Sequence, residues 1–331
     1  MKLYPFPADS VRKRMREVLS TGNPQVEPII DYLLESSGKM LRPRLLYLAA
    51  SPYPHDPLMV RDMCVAVELI HLASLVHDDV IDQALTRRGQ ESINSRYNNK
   101  TSVLTGDLLF ATAFNLINQH PFPRVMDQIT RTIQLMCQGE IKQLSLAFDL
   151  DISEEDYYEK SYSKTACLFA CSCRVGAWIS SMPEKNASLL EDYGLYLGYA
   201  YQIIDDILDL VADSQALGKP AGNDLKEGNI TLPLIYALKT KEYGSLLRKI
   251  LAADYSQLDT RELKTILLDS GAIEYARSIS RQFLQKALAS LELFPVGPAI
   301  KEMKNIALFI MEEYYARLSY VNEGELVKVV N

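Results

Sequence analysis

The chain is poor in glycine, proline and cysteine, and it has no long apolar segment. Glycine and proline each occur 15 times in 331 residues, so helix-breaking positions are few, and apolar residues recur at helical spacing almost throughout. The length alone suggests two domains. The continuous helical pattern and the 48% content of hydrophobic residues instead indicate one large all-α domain.

The sequence also lacks the marks of several protein classes. No uncharged apolar run reaches the length of a membrane-spanning helix, and the N-terminus lacks the apolar core of a signal peptide. We therefore expect a soluble, cytoplasmic protein. The net charge of −7 argues against a nucleic-acid partner, which needs a basic footprint. The Walker A loop and the GxGxxG, HExxH and GxSxG motifs are absent from the sequence.

The cysteines form no CxxC pair and lie mostly in apolar helical segments, where a free thiol behaves as a small hydrophobe. A zinc site within positions 167–173 would need further ligands, and no histidine lies nearby in the sequence, so packing is the preferred interpretation. The five residues are Cys64, Cys137, Cys167, Cys171 and Cys173.

The most informative stretch is an apolar helical run that ends in three aspartates and is followed closely by two arginines. Asp78 and Asp82 are four residues apart, so both carboxylates project from one face of a helix and repel each other unless a cation lies between them. Hard oxygen ligands suit Mg²⁺, which completes its octahedron with water and phosphate oxygens. Arg87 and Arg88 suit the phosphate itself, as forked donors.

A second Asp-Asp-x-x-Asp motif lies in another apolar run, where Gln202 precedes Asp205, Asp206 and Asp209. One such motif is weak evidence, because acidic helix ends are common. Two such helices facing each other across a cavity would hold Mg²⁺ ions around a diphosphate. Two solvated acidic helix ends would explain neither the apolar flanks nor the neighbouring basic residues.

Basic residues elsewhere are further candidates for binding phosphate. Pro43 is expected to open a helix as its first residue, with Lys39 and Arg42 on the loop before it. Two cations at a helix start, where the dipole also favours anions, form a plausible phosphate site. Lys164 lies in an otherwise small and apolar stretch, directly before Thr165.

Two other segments indicate helix boundaries and loops. The Ser153-Glu-Glu-Asp156 sequence is a capping signal that predicts a helix from Tyr157 onwards. The polar segment 213–229 is long and rich in glycine and asparagine, which predicts a mobile lid near the mouth of a cavity.

With these motifs in order, the sequence resembles the trans-isoprenyl diphosphate synthases, the polyprenyl synthetase family. It is most similar to bacterial medium- and long-chain members such as the catalytic, larger subunit of heptaprenyl-type synthases. The resemblance extends from Gly38 to Pro233 and includes Gly-Lys-Met-Leu-Arg-Pro at 38–43, both aspartate motifs, Gly106-Asp107, Lys164-Thr165, Gly218-Lys-Pro and Thr231-Leu-Pro. It implies an all-α fold in which antiparallel helices surround a deep central cavity. The single domain would span 1–331, with its motifs at about 24–240 and C-terminal helices at 241–320.

The resemblance also implies a reaction and its residues. The reaction is sequential condensation of isopentenyl diphosphate onto an allylic diphosphate such as farnesyl diphosphate, to make a polyprenyl chain of the kind used in quinones. Three Mg²⁺ ions would bind to Asp78, Asp82 and Asp205, supported by Asp79, Asp206 and Asp209. Arg87, Lys164 and Lys219 would hold the allylic diphosphate, and Lys39, Arg42, His71 and Arg88 would hold isopentenyl diphosphate. Thr165, Gln202 and the carbonyl of Lys164 would face the carbocation. Many relatives have a lysine where this chain has Asn229, so one diphosphate contact is either absent or supplied by Lys226.

Two small residues bear on product length. Ala73 and Ser74 precede Asp78 by five and four residues, so they lie about one helical turn beneath it, in the direction in which an anchored prenyl tail extends. In short-chain relatives bulky aromatics here form a floor. The small residues therefore predict an open floor and a hexa- to octaprenyl product. Close helix packing is the alternative reason for small residues, and a farnesyl or geranylgeranyl synthase is the alternative enzyme.

Other classes of function fit less well. A class I terpene cyclase shares the first motif but typically lacks a second DDxxD, and a non-catalytic subunit usually loses both motifs. We expect a homodimer, or a heterodimer in which activity depends on a small regulatory subunit. Peripheral membrane contact during product release is also expected, because a long prenyl product is apolar.

Overall fold

The structure is a computed structural model that describes residues 5–35, 38–211, 222–251 and 260–322. These residues fold mainly as helices, with a single short hairpin among them, so the all-α prediction is confirmed. The helices are α1 (Ala8–Leu19), α2 (Glu27–Glu35), α3 (Leu41–Ala50), α4 (Pro57–Ile81), α5 (Ile93–Arg96), α6 (Asn99–Asn118), α7 (Pro123–Ser145), α8 (Glu154–Ser161), α9 (Cys167–Ile179), α10 (Glu184–Val211), α11 (Asn223–Lys226), α12 (Leu232–Lys239), α13 (Gly244–Leu251), α14 (Thr260–Asp269), α15 (Ala272–Ser290) and α16 (Pro298–Asn322); a π-helical turn spans Tyr162–Ala166, and the hairpin strands are β1 (Thr86–Arg87) and β2 (Gln90–Glu91).

The chain divides into two compact units. The first comprises residues 1–135, 167–195 and 290–303, and the second comprises residues 136–166, 196–289 and 304–331. Each unit buries its own set of large apolar side chains, such as Met15 and Leu69 in the first and Ile203 and Leu284 in the second. The prediction of a single domain over residues 1–331 stays a prediction.

Helix α4 lies in the core of the first unit. Asp56 caps its N-terminus by accepting a hydrogen bond from the Leu58 amide at 2.9 Å, and Pro57 occupies the first turn, where a missing backbone donor costs little. Between Val60 and Val76 most side chains are buried, and the helix packs against α1, α3 and α6. Because the helix ends at Ile81, the first aspartate motif lies at its C-terminal turn.

The start of α3 differs from the sequence expectation. The helix begins at Leu41, after Met40 in the left-handed conformation with φ of 49°, so Pro43 is its third residue and not its first. Proline is tolerated there because the amides of the first turn have no acceptor within the helix. Arg42 therefore lies in the first helical turn, whereas Lys39 precedes the helix as predicted.

The capping signal before α8 is confirmed, but the helix begins at Glu154, directly after the capping Ser153, and not at Tyr157. Ser153 Oγ accepts a hydrogen bond from the Asp156 amide at 3.1 Å, and the Asp156 carboxylate accepts one from the Ser153 amide at 3.3 Å. Helix α8 continues directly into the π-helical turn that carries Lys164 and Thr165, and then into α9. Such turns often occur at functional sites, and here the turn places two predicted active-site residues in succession.

Two further expectations concern the surface. Within the described ranges, no helix is both long enough and apolar enough to cross a membrane. Residues 213–221 of the predicted lid lie outside the described residues. From Gly222 the chain forms the short helix α11 and a turn that leads into α12.

Candidate active site

A tight hairpin after α4 carries the two arginines of the first motif. In this hairpin Arg87 is paired with Gln90. The two loop residues, Arg88 and Gly89, have φ of 52° and 77°, the left-handed conformation that a type I′ turn requires at both positions. Arg87 therefore belongs to a strand while Arg88 lies in the turn, and the two guanidinium groups have different neighbours.

Arg87 forms an ion pair with the second aspartate of the motif. Its Nε and Nη2 atoms each lie 2.6 Å from Asp79 Oδ1. Asp79 is buried, and burial raises the pKa of its carboxyl while Arg87 lowers it. Asn94 strengthens the same junction, because its Nδ2 donates to the carbonyls of Asp79 and Ala84 at 3.1 and 3.0 Å. Asp79 thus fixes the hairpin to the end of α4 and positions Arg87, the predicted allylic diphosphate ligand.

The outer two aspartates of the first motif are more accessible than Asp79. Asp78 and Asp82 are both half-buried, and the Asp82 amide donates to the Asp78 carbonyl at 2.8 Å. They lie at the C-terminal end of α4, where the helix dipole favours a cation. This distribution is compatible with the predicted roles, in which the outer aspartates bind metal and the middle one supports them.

A basic cluster forms between the start of α3 and the middle of α4. Arg42 Nη1 lies 3.0 Å from His71 Nε2, and the Arg42 guanidinium lies 4.8 Å from the centre of the Phe169 ring. Burial lowers the pKa of His71 well below its usual value, and Arg42, Arg88 and Arg87 lower it further. The imidazole is therefore neutral, and its Nε2 accepts the hydrogen bond from Arg42.

Arg88 belongs to the same cluster and depends on Gly38. A Cβ atom at position 38 would lie 2.5 Å from the Arg88 guanidinium nitrogens, so the glycine leaves room for this side chain. The structure thus groups three of the four predicted isopentenyl diphosphate ligands, namely Arg42, His71 and Arg88. The fourth, Lys39, is exposed next to Gly38.

Glu68 is a member of this cluster that the sequence analysis missed. Its side chain is 2% exposed, and its Oε2 has no hydrogen-bond partner among the described residues. Burial raises the pKa of its carboxyl, whereas Arg42, Arg88 and Arg12 lower it. One glutamate in an apolar helical run has no spacing that distinguishes it, so its position among the arginines emerges only from the fold.

In the second unit, a chain of hydrogen bonds joins the predicted carbocation-facing residues to the second aspartate motif. Thr165 Oγ1 donates to Gln202 Oε1 at 2.6 Å, and Gln202 Nε2 donates to Asp206 Oδ1 at 2.7 Å. The Tyr157 hydroxyl donates to Asp206 Oδ2 at 2.6 Å. Because the carboxylate accepts from the Gln202 amide group, the amide oxygen must face Thr165. The Thr165 proton is then engaged with Gln202, which leaves lone pairs on Oγ1 for an electron-poor group.

The three aspartates of the second motif differ in accessibility. Asp205 is exposed, whereas Asp206 and Asp209 are buried. Burial raises the pKa of Asp206 to about 7, and Asp224 raises it as well. Asp209 Oδ2 accepts from the Asp224 amide at 3.1 Å, and its backbone carbonyl accepts from the Gly222 amide at 2.7 Å. Asp209 therefore attaches the segment at the start of α11 to α10, while Asp205 lies at the surface.

Several lysines surround this motif in sequence and in space. Lys164 is half-buried in the π-helical turn, and Lys226 is exposed on α11. Lys219 lies outside the described residues. Lys160, which the sequence analysis missed, is 9% exposed, and its ammonium donates to Asn229 Oδ1 at 2.6 Å.

The residues predicted to control product length lie in the middle of α4. Ala73 is fully buried, and Ser74 is half-buried with its hydroxyl bonded to the backbone carbonyl three residues earlier at 2.9 Å. One turn further on, His77 lies against Gly106 of α6, where a Cβ would overlap the imidazole ring. The His77 ring also lies 5.8 Å from that of Phe110. Helices α4 and α6 are therefore in close contact between the predicted floor and the aspartates at the end of α4.

The accessible side-chain donors near the aspartate motifs are of the kind that bind Mg²⁺. In the described part of the chain, no three carboxylate, thiol or imidazole side chains converge on a point that would hold a metal. The accessible carboxylates of Asp78, Asp82 and Asp205 are hard oxygen donors. They fit Mg²⁺, which commonly binds through one or two carboxylates and takes its other ligands from water and substrate phosphates. Burial raises the pKa of Cys167 and Cys171 to about 12, so these two are neutral thiols.

Comparisons with known sequences find relatives along nearly the whole chain. The sequence profile of the polyprenyl synthetase family matches residues 23–267. Heptaprenyl diphosphate synthase component 2 of Geobacillus stearothermophilus is 36% identical over 320 residues, which cover 95% of this chain and 98% of that protein. Octaprenyl diphosphate synthase of Haemophilus influenzae is 31% identical over 316 residues, which cover 95% and 96% of the two chains.

Solved structures are similar over the same length. The heptaprenyl diphosphate synthase of Staphylococcus aureus matches with a TM-score of 0.86 and 29% identity, covering 92% of this chain and 96% of that one. A decaprenyl diphosphate synthase of Rhodobacter capsulatus matches with a TM-score of 0.87 and 32% identity, covering 93% and 96%. The fold is therefore the all-α isoprenoid synthase fold.

Proposed function

The chain belongs to the polyprenyl synthetase family and is a trans-polyprenyl diphosphate synthase, and we propose that it condenses isopentenyl diphosphate head-to-tail onto an allylic diphosphate such as farnesyl diphosphate. The observation that carries this proposal is the cluster of Arg42, neutral His71 and Arg88 on and around the helix that ends in Asp78 and Asp82. Guanidinium groups donate forked hydrogen bonds to phosphate oxygens. A neutral imidazole adds a further hydrogen-bonding group to such a site without adding charge.

The allylic diphosphate is assigned to residues around the two aspartate motifs. In this proposal Asp78, Asp82 and Asp205 hold Mg²⁺, with support from Asp79, Asp206 and Asp209, and the diphosphate contacts Arg87, Lys164 and Lys219. The metal would neutralise the charge that develops on the leaving diphosphate. The arrangement around Asp79 supports this role for Arg87, because the ion pair holds the guanidinium in place before the substrate arrives.

The proposed reaction needs little acid–base chemistry from the protein. The C1–O bond of the allylic substrate breaks, and the diphosphate leaves with the bonding electrons. The double bond of isopentenyl diphosphate then attacks the allylic cation, and a new C–C bond forms. The proton lost from the adjacent carbon goes to the released diphosphate. Lone pairs of Thr165 Oγ1, the Gln202 amide and the Lys164 carbonyl would lie near the cation, in a place with little water, since Thr165 is 6% exposed.

The chain length of the product is part of the proposal. We infer a hexa- to octaprenyl product of the kind that serves quinone side chains. Two observations support it: the small size of Ala73 and Ser74, and the heptaprenyl and octaprenyl names of the curated relatives. A short farnesyl or geranylgeranyl product is the alternative.

The assembly and location are proposals as well. The Geobacillus relative is named as one component of a synthase, so two assemblies remain alternatives for this chain. One is a homodimer that is active by itself, and the other is a heterodimer with a small regulatory subunit. A cytoplasmic location with peripheral membrane contact during product release suits an apolar prenyl product.

The test is a product assay with the purified chain alone. The protein is incubated with Mg²⁺, farnesyl diphosphate and labelled isopentenyl diphosphate, and the products are dephosphorylated and sized by chromatography. We expect labelled chains in the hexa- to octaprenyl range, and their loss when a chelator replaces Mg²⁺. A folded protein that binds neither diphosphate would contradict the proposal, whereas binding of both without turnover would support the two-subunit alternative.

A further inference from the structure

The pair formed by the buried Lys160 and the half-buried Asn229 has no role in the reaction described above. Lys160 lies on α8, one helical turn before Lys164, and its ammonium donates to Asn229 Oδ1 at 2.6 Å. The same ammonium lies 5.3 Å from the centre of the Tyr157 ring. A buried ammonium is unfavourable unless its surroundings compensate for lost hydration. The neighbours that hold this charge therefore bear on what it does.

Lys160 forms no direct salt bridge with the residues that the structure describes. Among the residues that the structure describes, its hydrogen-bond partner is the neutral amide of Asn229. Burial lowers the pKa of the Lys160 ammonium, and Lys164 lowers it further, while the carboxylates of Asp206, Asp224 and Glu140 oppose that shift. The ammonium group therefore lies close to the second aspartate motif, and the group that accepts its hydrogen bond is neutral.

The contact also fixes the direction of the Asn229 amide. An ammonium group has only donors, so the amide atom facing it must be the oxygen, which settles an orientation that otherwise has to be inferred. The Asn229 Nδ2 group then points away from Lys160 with two N–H donors. The backbone holds the residue in place, because its amide donates to the Asp224 carbonyl at 2.8 Å. Asn229 is half-buried, so a ligand can reach it from one side.

We propose that Lys160 and Asn229 form a composite donor for the diphosphate that binds at the second aspartate motif. Asn229 touches the diphosphate through its amide N–H groups, and Lys160 is a positioning residue that orients the amide and adds fixed positive charge behind it. This inference rests on the proposed function, since it adds a pair of residues to the allylic diphosphate site. It replaces the expectation that Lys226, which is exposed, makes up for the asparagine.

Three variants separate this role from a purely structural one. Lys160→Met removes the charge and keeps an unbranched side chain of similar length. Asn229→Asp keeps the shape and gives Lys160 a carboxylate partner, so a structural role predicts unchanged or higher stability, whereas the composite donor loses its N–H groups. The double variant with Lys160→Met and Asn229→Lys moves the ammonium to position 229. Lys142→Met is the matched control, because it removes an equal charge that is paired with Asp156 and Glu159 at the surface.

The measurement is binding of inorganic diphosphate in the presence of Mg²⁺, followed by calorimetry, together with KM values for both substrates and the melting temperature. For Lys160→Met and Asn229→Asp we expect diphosphate affinity to fall about tenfold, the effect of losing one charge-assisted contact. The KM for farnesyl diphosphate should rise to match, and that for isopentenyl diphosphate should stay within about twofold. The relocated ammonium should recover most of the lost affinity, and the control should bind like the wild type.

The outcomes separate this inference from the proposed function. If the wild type makes prenyl products while Lys160→Met and Asn229→Asp bind diphosphate normally, the composite donor is wrong and the proposed function stands. If only Lys226→Met lowered the affinity for diphosphate, the composite donor would also be wrong, and the exposed Lys226 would be the diphosphate ligand instead. If the wild type binds no diphosphate with Mg²⁺, both fail together. If Lys160→Met loses its cooperative melting transition as well as its affinity, Lys160→Gln replaces it. Glutamine keeps a hydrogen-bond donor without the charge. Normal diphosphate binding by Lys160→Gln would show that the charge is not needed.

Discussion

Gly38→Ala tests the proposed isopentenyl diphosphate site indirectly, because it displaces the side chain of Arg88 without replacing that residue. The new Cβ would lie 2.5 Å from both terminal nitrogens of Arg88 and 2.6 Å from its Cζ, well inside van der Waals contact. Gly38 is not among the residues with positive φ, so alanine fits the backbone. The overlap is with the far end of a flexible side chain, and Arg88 is exposed. The guanidinium should therefore swing away while the fold remains intact.

The expected changes in stability and in substrate binding follow from what Arg88 contributes to each. An exposed side chain that moves into solvent changes the free energy of unfolding by less than about 0.5 kcal/mol. A charge-assisted contact to a diphosphate is worth about 1.5–3 kcal/mol, which corresponds to a factor of about 10 to 100 in affinity. The variant should therefore raise the KM for isopentenyl diphosphate at least about tenfold, with little change in melting temperature.

The assay is steady-state turnover with each substrate varied in turn, alongside thermal melting. Gly297→Ala is the control, because a Cβ there would meet nothing closer than a carbonyl oxygen at 3.9 Å. The reasoning is refuted if Gly38→Ala leaves the KM for isopentenyl diphosphate unchanged, or if it raises the KM of both substrates equally.

Three further predictions concern the metal ligands, the product length and a buried hydrogen bond. Asp78→Ala and Asp205→Ala should each lower turnover by about three orders of magnitude or more with the fold retained by circular dichroism, because each removes a metal ligand; near-wild-type turnover would refute the metal assignment. Ala73→Phe or Ser74→Phe should shorten the product towards farnesyl or geranylgeranyl diphosphate while turnover persists, and product sizing that still gives full-length chains in both would refute the open floor. Tyr157→Phe should lower the free energy of unfolding by about 1–3 kcal/mol in urea titrations, because it leaves a buried carboxylate oxygen without its donor; unchanged stability would show that the hydrogen bond is replaced.

The aspartate motifs could be predicted from the sequence because their chemistry repeats at a fixed spacing. The positions of Asp78 and Asp82 at the end of a helix follow from the apolar run before them, and the Ser153 cap follows from a local pattern. The error at Pro43 has a local cause too, since proline is compatible with any position in the first helical turn. Such boundaries cannot be settled by sequence alone to within one or two residues.

The missed residues are those whose meaning depends on distant partners. Lys160 and Asn229 are 69 positions apart, and Tyr157 and Asp206 are 49 apart. Neither pair has a spacing rule, because each contact arises only when distant segments of the chain pack together. Glu68 was missed for the same reason, since the arginines around its carboxyl come from other segments of the chain.

The central claim is that two diphosphates bind through separate sets of residues, and the adjacent Arg87 and Arg88 test it most directly. Replacing either with lysine keeps the charge but removes the forked geometry. In Arg87→Lys the charge still provides a partner for Asp79. We predict that Arg87→Lys raises the KM for farnesyl diphosphate about tenfold and leaves that for isopentenyl diphosphate unchanged, and that Arg88→Lys does the reverse. Equal effects of both variants on both substrates would contradict the account.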